Sequence, residues 1–195
     1  MKKAQVIAAV CAALDADGVE AAAALVDREY PFAPETPTKR RTRVLDYTRV
    51  FLRDGFVDRY SGERLVFPPV LRLLSTFMPD RFPYHPNWKT HVTHAAYWEI
   101  GATIDHLRPV TRGGVDEPSN WITTSMARNS AKMHWTLEEL GWVLRPPGNL
   151  REWDGLIHWC MKYALDHGHA VADNGVRQWL RAGSIALTEL EQGRS

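Results

Sequence analysis

An α+β chain is what the sequence predicts, with a small strand–loop–strand–helix centre set between helical segments. Three observations lead there. Ala-rich, helix-forming runs open the chain. Two short stretches rich in β-branched residues flank a Pro- and Gly-containing loop between residues 101 and 125. Two amphipathic runs close it. At 195 residues, with 45% hydrophobic and 24% charged content, the chain has the size and balance of one globular domain with appendages.

Taken in order, residues 3–15 and 18–29 read as two helices turned at Gly18, a helical hairpin over 1–30. "PFAPETP" at 31–37 ends that pattern, because proline removes the backbone donors a helix needs. The region 31–100 is expected to hold this linker, short strands near 43–51, 56–60 and 64–67, and a helix. Asp54-Gly55 and Ser61-Gly62 supply the turns between the strands. Pro68-Pro69 opens a short helix through "VLRLLSTFM", closed at Pro79. The aromatic and His-rich stretch from Asp80 then leads into a helix over 90–99. Residues 101–144 form the centre. Past "RPPG", residues 145–195 read as an arm of two amphipathic helices.

The formal net charge is only +1. The charge is uneven, however: residues 38–64 carry eight Lys or Arg against four acids, enough to follow a polyanion. The two cysteines, Cys11 and Cys160, lie within helical patterns and form no Cys-x-x-Cys pair, which excludes a cysteine-built structural zinc site. Both are expected as buried thiols of a cytoplasmic protein. The first run is interrupted by Asp15 and Asp17 too soon to span a bilayer, so no membrane partner is expected.

The centre reads "IDHLRPVTRGGVDEPSNWITTSMARNSAKMHW", residues 104–135. "ATID" forms a strand that delivers Asp105 and His106 at its end. Pro109 and Pro118 stiffen the following loop, and Gly113-Gly114 permit a tight reversal. "NWITTS" forms the second strand, and "MARNSAKMHWTLEELG" a helix of about four turns closed by Gly141. This order gathers the polar groups on one side, while Ile104, Trp121, Trp135 and Leu140 can face the other.

Asp105-His106, Asn120 and Asn129, with gaps of 14 and nine positions between the His and the two Asn, resemble the HNH endonucleases, the ββα-metal nucleases. Gly113-Gly114, Ser119-Asn120-Trp121 and Arg128-Asn129-x-x-Lys132 fall in the order that family uses, and the likeness covers about forty residues. The resemblance implies a ββα-metal core between helical arms, hydrolysing DNA phosphodiester bonds. His106 would take the proton of the attacking water, since imidazole can be both neutral and basic near neutral pH. Asp105 and the Asn129 side-chain oxygen would hold one divalent cation, and hard oxygen ligands favour Mg²⁺ or Mn²⁺. Asn120 would brace the loop and hold the histidine in place. A free-standing protein of this type suggests restriction or anti-phage defence on double-stranded DNA, with a homodimer as one way to cut both strands.

The departures from the family matter as well. The residue four after Asn129 is Met133, which cannot serve a hard cation. His134 lies about 140° round the helix from Asn129 and is not expected as a ligand. Lys132, three after Asn129, shares its face and is expected at a phosphate. Lys39, Arg40 and Arg41 in "TKRRTR", and Arg112 in the Gly-Gly loop, are the other expected backbone contacts. His85, His91 and His94 read as capping or packing residues, and so do His158, His167 and His169. Trp142, Trp153, Trp159 and Trp179 read as packing anchors. Two further readings compete: a DNA-binding module acting within a larger complex, and a toxin-like nuclease without sequence preference, RNA included.

Overall fold

The computed structural model describes residues 2–32, 43–168 and 173–193. The chain is mixed helix and strand, as expected, and among the described residues the strands form one two-stranded antiparallel sheet. Two compact units divide it, Met1–Arg40 and Arg41–Ser195. In the first, α1 (Lys3–Asp17) and α2 (Val19–Glu29) form the expected hairpin, turned at Gly18 with φ +83° and burying Val6 and Ala22. Cys11 is exposed, against expectation: its helix buries only Val6, so most of its apolar positions face outward.

In the second unit, residues 43–51 were expected as a strand and are instead part of helix α3, Val44–Arg53. Val44, Thr48, Val50 and Phe51 suggested a strand by their type. Their spacing is nonetheless helical, and Val44, Thr48, Phe51 and Leu52 are buried together. Tertiary burial outweighs the weak β-branched preference here. The strands expected at 56–60 and 64–67 shrink to single bridges, Val57 to Arg64 and Val66 to Gly101. The chain leaves α3 through Gly55 at φ +65°, where a side-chain carbon would stand 2.3 Å from the Gly148 carbonyl oxygen.

Helix α4 (Pro68–Phe77) starts on its prolines, and the helix expected over 90–99 is confined to α5 (Ala96–Glu99). Strand β1 (Ala102–His106) pairs with β2 (Trp121–Ser125), setting Asp105 opposite Ile122 and His106 opposite Trp121. The four-turn helix expected after β2 is two helices, α6 (Met126–Lys132) and α7 (Leu137–Leu140). Met133, at φ +51°, ends the first. Thr136 and Glu139 then cap the second reciprocally, so a fresh helix start overrides continuation.

Helix α8 (Ile157–Asp166) and helix α9 (Asn174–Gln192) share the core of this second unit. Trp179 of α9 stacks on Phe51 at 6.0 Å and meets Phe67 edge-on at 5.8 Å. Arg49 of α3 grips Glu189 of α9 with two bonds of 2.9 and 2.8 Å. Cys160 is buried in this core, which pushes its thiol up to about 12.

A two-stranded sheet leaves the outer edge of β2 without a strand partner. Two buried aspartates fill that place. Asp54 accepts from the Thr123 N–H at 2.8 Å, and Asp58 accepts from the Ser125 N–H at 2.9 Å and the Thr124 hydroxyl at 3.1 Å. The Arg59 N–H donates to the Thr123 carbonyl at 2.9 Å. Arg53 and Arg59 neutralise Asp54 at 2.9 and 2.8 Å. The stretch "RDGFVDRYSGERL" therefore covers the outer edge of β2, with two carboxylates and one backbone N–H rather than as a strand.

Candidate functional site

Adjacent residues of a strand point to opposite faces. At the end of β1 this sends Asp105 and His106 into different surroundings, although both are nearly buried, 7% and 8% exposed.

His106 faces the loop. Its Nε2 lies 2.8 Å from Oδ1 of Asp116, and the Trp121 indole N–H is 3.1 Å from both of those atoms. Burial acts to raise the Asp116 carboxyl. The hydrogen bond and charge of His106, the Trp121 N–H and Arg43 together outweigh it and hold the group below the usual aspartate value. Asp116 is thus an ionised acceptor near neutrality, and Nε2 carries the hydrogen between the two. The Trp121 N–H then bonds Asp116, and the basic lone pair of the ring is on Nδ1. Arg43 lies over the Trp121 ring at 5.2 Å and donates to the Asp116 carbonyl at 3.1 Å, fastening the loop to α3.

Asn120 closes the base of the same loop. Its carbonyl oxygen accepts from the Arg108 N–H, and its amide donates to the carbonyls of Arg108 and Val115, each at 2.9 Å. Gly114 is required there, because an added side-chain carbon would lie 1.9 Å from the Arg108 oxygen. Asn120 thereby fixes the backbone that carries Asp116, and through Asp116 the imidazole.

Asp105 faces inward and is fully engaged. Oδ1 accepts the His106 N–H at 2.8 Å. Oδ2 accepts the Tyr60 hydroxyl at 2.5 Å and lies 3.0 Å from the Lys132 ammonium. Burial, followed by the Asp105 charge, pushes the Tyr60 phenol far above its ordinary range, so it stays a donor. Lys132 is fully buried and also donates to the His106 carbonyl at 2.8 Å. Asn129, one turn earlier on α6, donates from Nδ2 to the Ile104 carbonyl at 3.0 Å, which leaves its Oδ1 as an acceptor.

The structure therefore brings Asp105, His106, Asn120 and Asn129 around one strand–loop–strand–helix unit. Lys132, expected at a phosphate, points inward instead. Arg112 is on the surface, 3.4 Å from Glu139. Lys39, Arg40 and Arg41 lie outside the described residues, as does His169. His134 is exposed and stacks on Trp135. His85 and His94 accept backbone N–H groups, and His94 stacks on Phe82 at 4.0 Å. His158 pairs with Asp154, and His167 stacks on Tyr163. Trp153 donates to the Leu65 carbonyl and Trp142 packs on Tyr60, whereas Trp159 is 41% exposed.

Sequence reasoning missed two members of the site. Asp116 sits in a loop with no periodicity, and Tyr60 lies 45 positions before its partner Asp105. The Asp-Glu-Pro sequence before Asn120 is the only signal that could have marked Asp116.

The cation that the resemblance implies does not fit this arrangement. A divalent ion at Asp105 Oδ2 would stand beside the Lys132 ammonium, on an oxygen already holding a phenol hydrogen. Among the described residues, no three His, Cys, Asp or Glu side chains gather as a metal site, and no helix is long and apolar enough to cross a membrane. No family model, curated protein or solved structure matches the chain.

Proposed function

We propose that the chain is an HNH-type endonuclease, that its strand–loop–strand–helix unit is the ββα-metal core, and that it hydrolyses DNA phosphodiester bonds. The observation that carries this reading is the fixed imidazole. His106 ends β1 with Nε2 tied to Asp116, so Nδ1 is the nitrogen able to take a proton. In the reaction the water oxygen attacks phosphorus, its proton passes to Nδ1 of His106, and the bond from phosphorus to the leaving oxygen breaks, that oxygen taking a proton from solvent. Asp116 steadies the imidazolium that forms. Asn120 keeps the loop, and hence Asp116, in register.

In the related nucleases a bound Mg²⁺ or Mn²⁺ relieves charge on the phosphate. Here the exposed guanidinium groups of Arg108, Arg112 and Arg128 border the unit and suit backbone phosphates, and Lys39, Arg40 and Arg41 are proposed as further phosphate contacts on the strength of the sequence alone. Pairing of two chains would cut both strands, and the biological role that suits such an enzyme is restriction or anti-phage defence.

A second reading is favoured by one observation. The closed set of Asp105, Tyr60 and Lys132 suits a DNA-binding module that holds the strand without cutting it. Supercoiled plasmid with Mg²⁺ or Mn²⁺ separates the two. The nuclease yields relaxed or linear product, and His106→Ala leaves the plasmid supercoiled while still unfolding cooperatively. Retarded but intact plasmid selects the binding module, and a His106→Ala variant that cuts at the wild-type rate removes His106 as the base.

A further inference from the structure

We infer that the ammonium of Lys132 is the cation of this site: it takes the position at Asp105 that a divalent ion would take, and the DNA-free chain binds no Mg²⁺ or Mn²⁺ there. The inference rests on the nuclease reading only in taking Asp105 and Asn129 as the residues a cation would need.

A lysine is seldom fully buried unless its charge is paired. Lys132 is 0% exposed, and each direction of its amine is accounted for. One N–H meets the His106 carbonyl at 2.8 Å, and a second meets Asp105 Oδ2 at 3.0 Å. The face of the Tyr60 ring, 5.9 Å away, receives the remaining charge. These partners come from β1 and from the loop after α3, so the amine joins three parts of the fold.

The helix favours this placement. Lys132 follows Asn129 by three positions, so both side chains lie on the face of α6 turned toward β1. Met133, at positive φ, turns the chain immediately afterwards, so Lys132 is the last residue of α6. Mg²⁺ demands near-octahedral oxygen ligation. At Asp105, Oδ2 holds both the phenol and the ammonium, and Oδ1 holds the His106 N–H. A divalent ion at this carboxylate would stand against the Lys132 ammonium, and expelling Lys132 would leave its charge without a partner in the interior.

The test uses the full chain without DNA, titrated with Mn²⁺ and followed by the electron paramagnetic resonance signal of the free ion. Wild type is expected to leave that signal unchanged. Lys132→Met, which keeps an unbranched apolar stem and removes the charged end, is expected to take up one Mn²⁺ per chain, and adding Asp105→Asn is expected to abolish that uptake. Wild type that binds one Mn²⁺, with the binding lost in Asp105→Asn, overturns the inference. So does a folded Lys132→Met that binds none. If Lys132→Met fails to fold, the wild-type titration decides alone. A wild type that binds no Mn²⁺ and does not cut plasmid defeats the nuclease reading and leaves this inference standing. One that binds Mn²⁺ at Asp105 and cuts does the reverse.

Discussion

The two neighbours at the end of β1 share a backbone and almost the same exposure, yet they live in opposite regimes. His106 has one ring nitrogen committed to Asp116, on a loop whose carboxylate is 28% exposed, and the other left basic. Asp105 has every acceptor engaged by groups from the fold's interior, and its ammonium partner has no contact with solvent. The alternation of a strand is enough to create this contrast within one dipeptide. Chemistry that exchanges protons with solvent belongs on the first side, and rigidity on the second.

The contrast can be broken most forcefully at Lys132. Lys132→Ala leaves Asp105 charged and buried with no cation beside it, and we expect a loss of about 3–5 kcal/mol by denaturant titration, the range for a broken buried ion pair. A loss below 1 kcal/mol would put the pair in contact with water. Tyr60→Phe probes the same interior more gently. It removes one hydrogen bond to a charged acceptor and should cost about 1.5–3 kcal/mol in the same titration, with His106-dependent cleavage retained.

On the other side, Asp116→Asn should fold and lower plasmid cleavage by about 10-fold or more, because the tautomer of His106 is no longer fixed. It also carries a pH signature. The Asp116 carboxyl lies below its ordinary value of 3.8 in the folded chain. Its stabilising contribution is therefore present above that value and is lost as pH falls through the lower, folded one. The stability difference between wild type and Asp116→Asn should be flat above about pH 4 and shrink below it. A difference that grew in acid would mean the carboxyl is raised rather than lowered.

The sequence showed the parts whose signal is local. Ile122, Thr123 and Thr124 marked β2, Gly141 marked the close of α7, and the Ala-rich runs marked the hairpin. Residue type misled at α3, where β-branched side chains sit at helical spacing. Spacing put Lys132 on the face of Asn129 correctly, but it could not tell whether that face met a phosphate or a carboxylate. The answer depends on Asp105 and Tyr60, which are 27 and 72 positions away in the sequence. Asp116 was illegible for a related reason: a loop position acquires its partner only once Asn120 has closed the loop.

The carboxylates of Asp54 and Asp58 along β2 set a limit on how this unit can be moved. A segment beginning at Gly101 and transplanted into another scaffold would arrive with bare amides at Thr123 and Ser125, open to pairing with any passing chain. Whatever portable cassette exists here must start no later than Arg53, and shuffling in evolution or in design has to carry both pieces together.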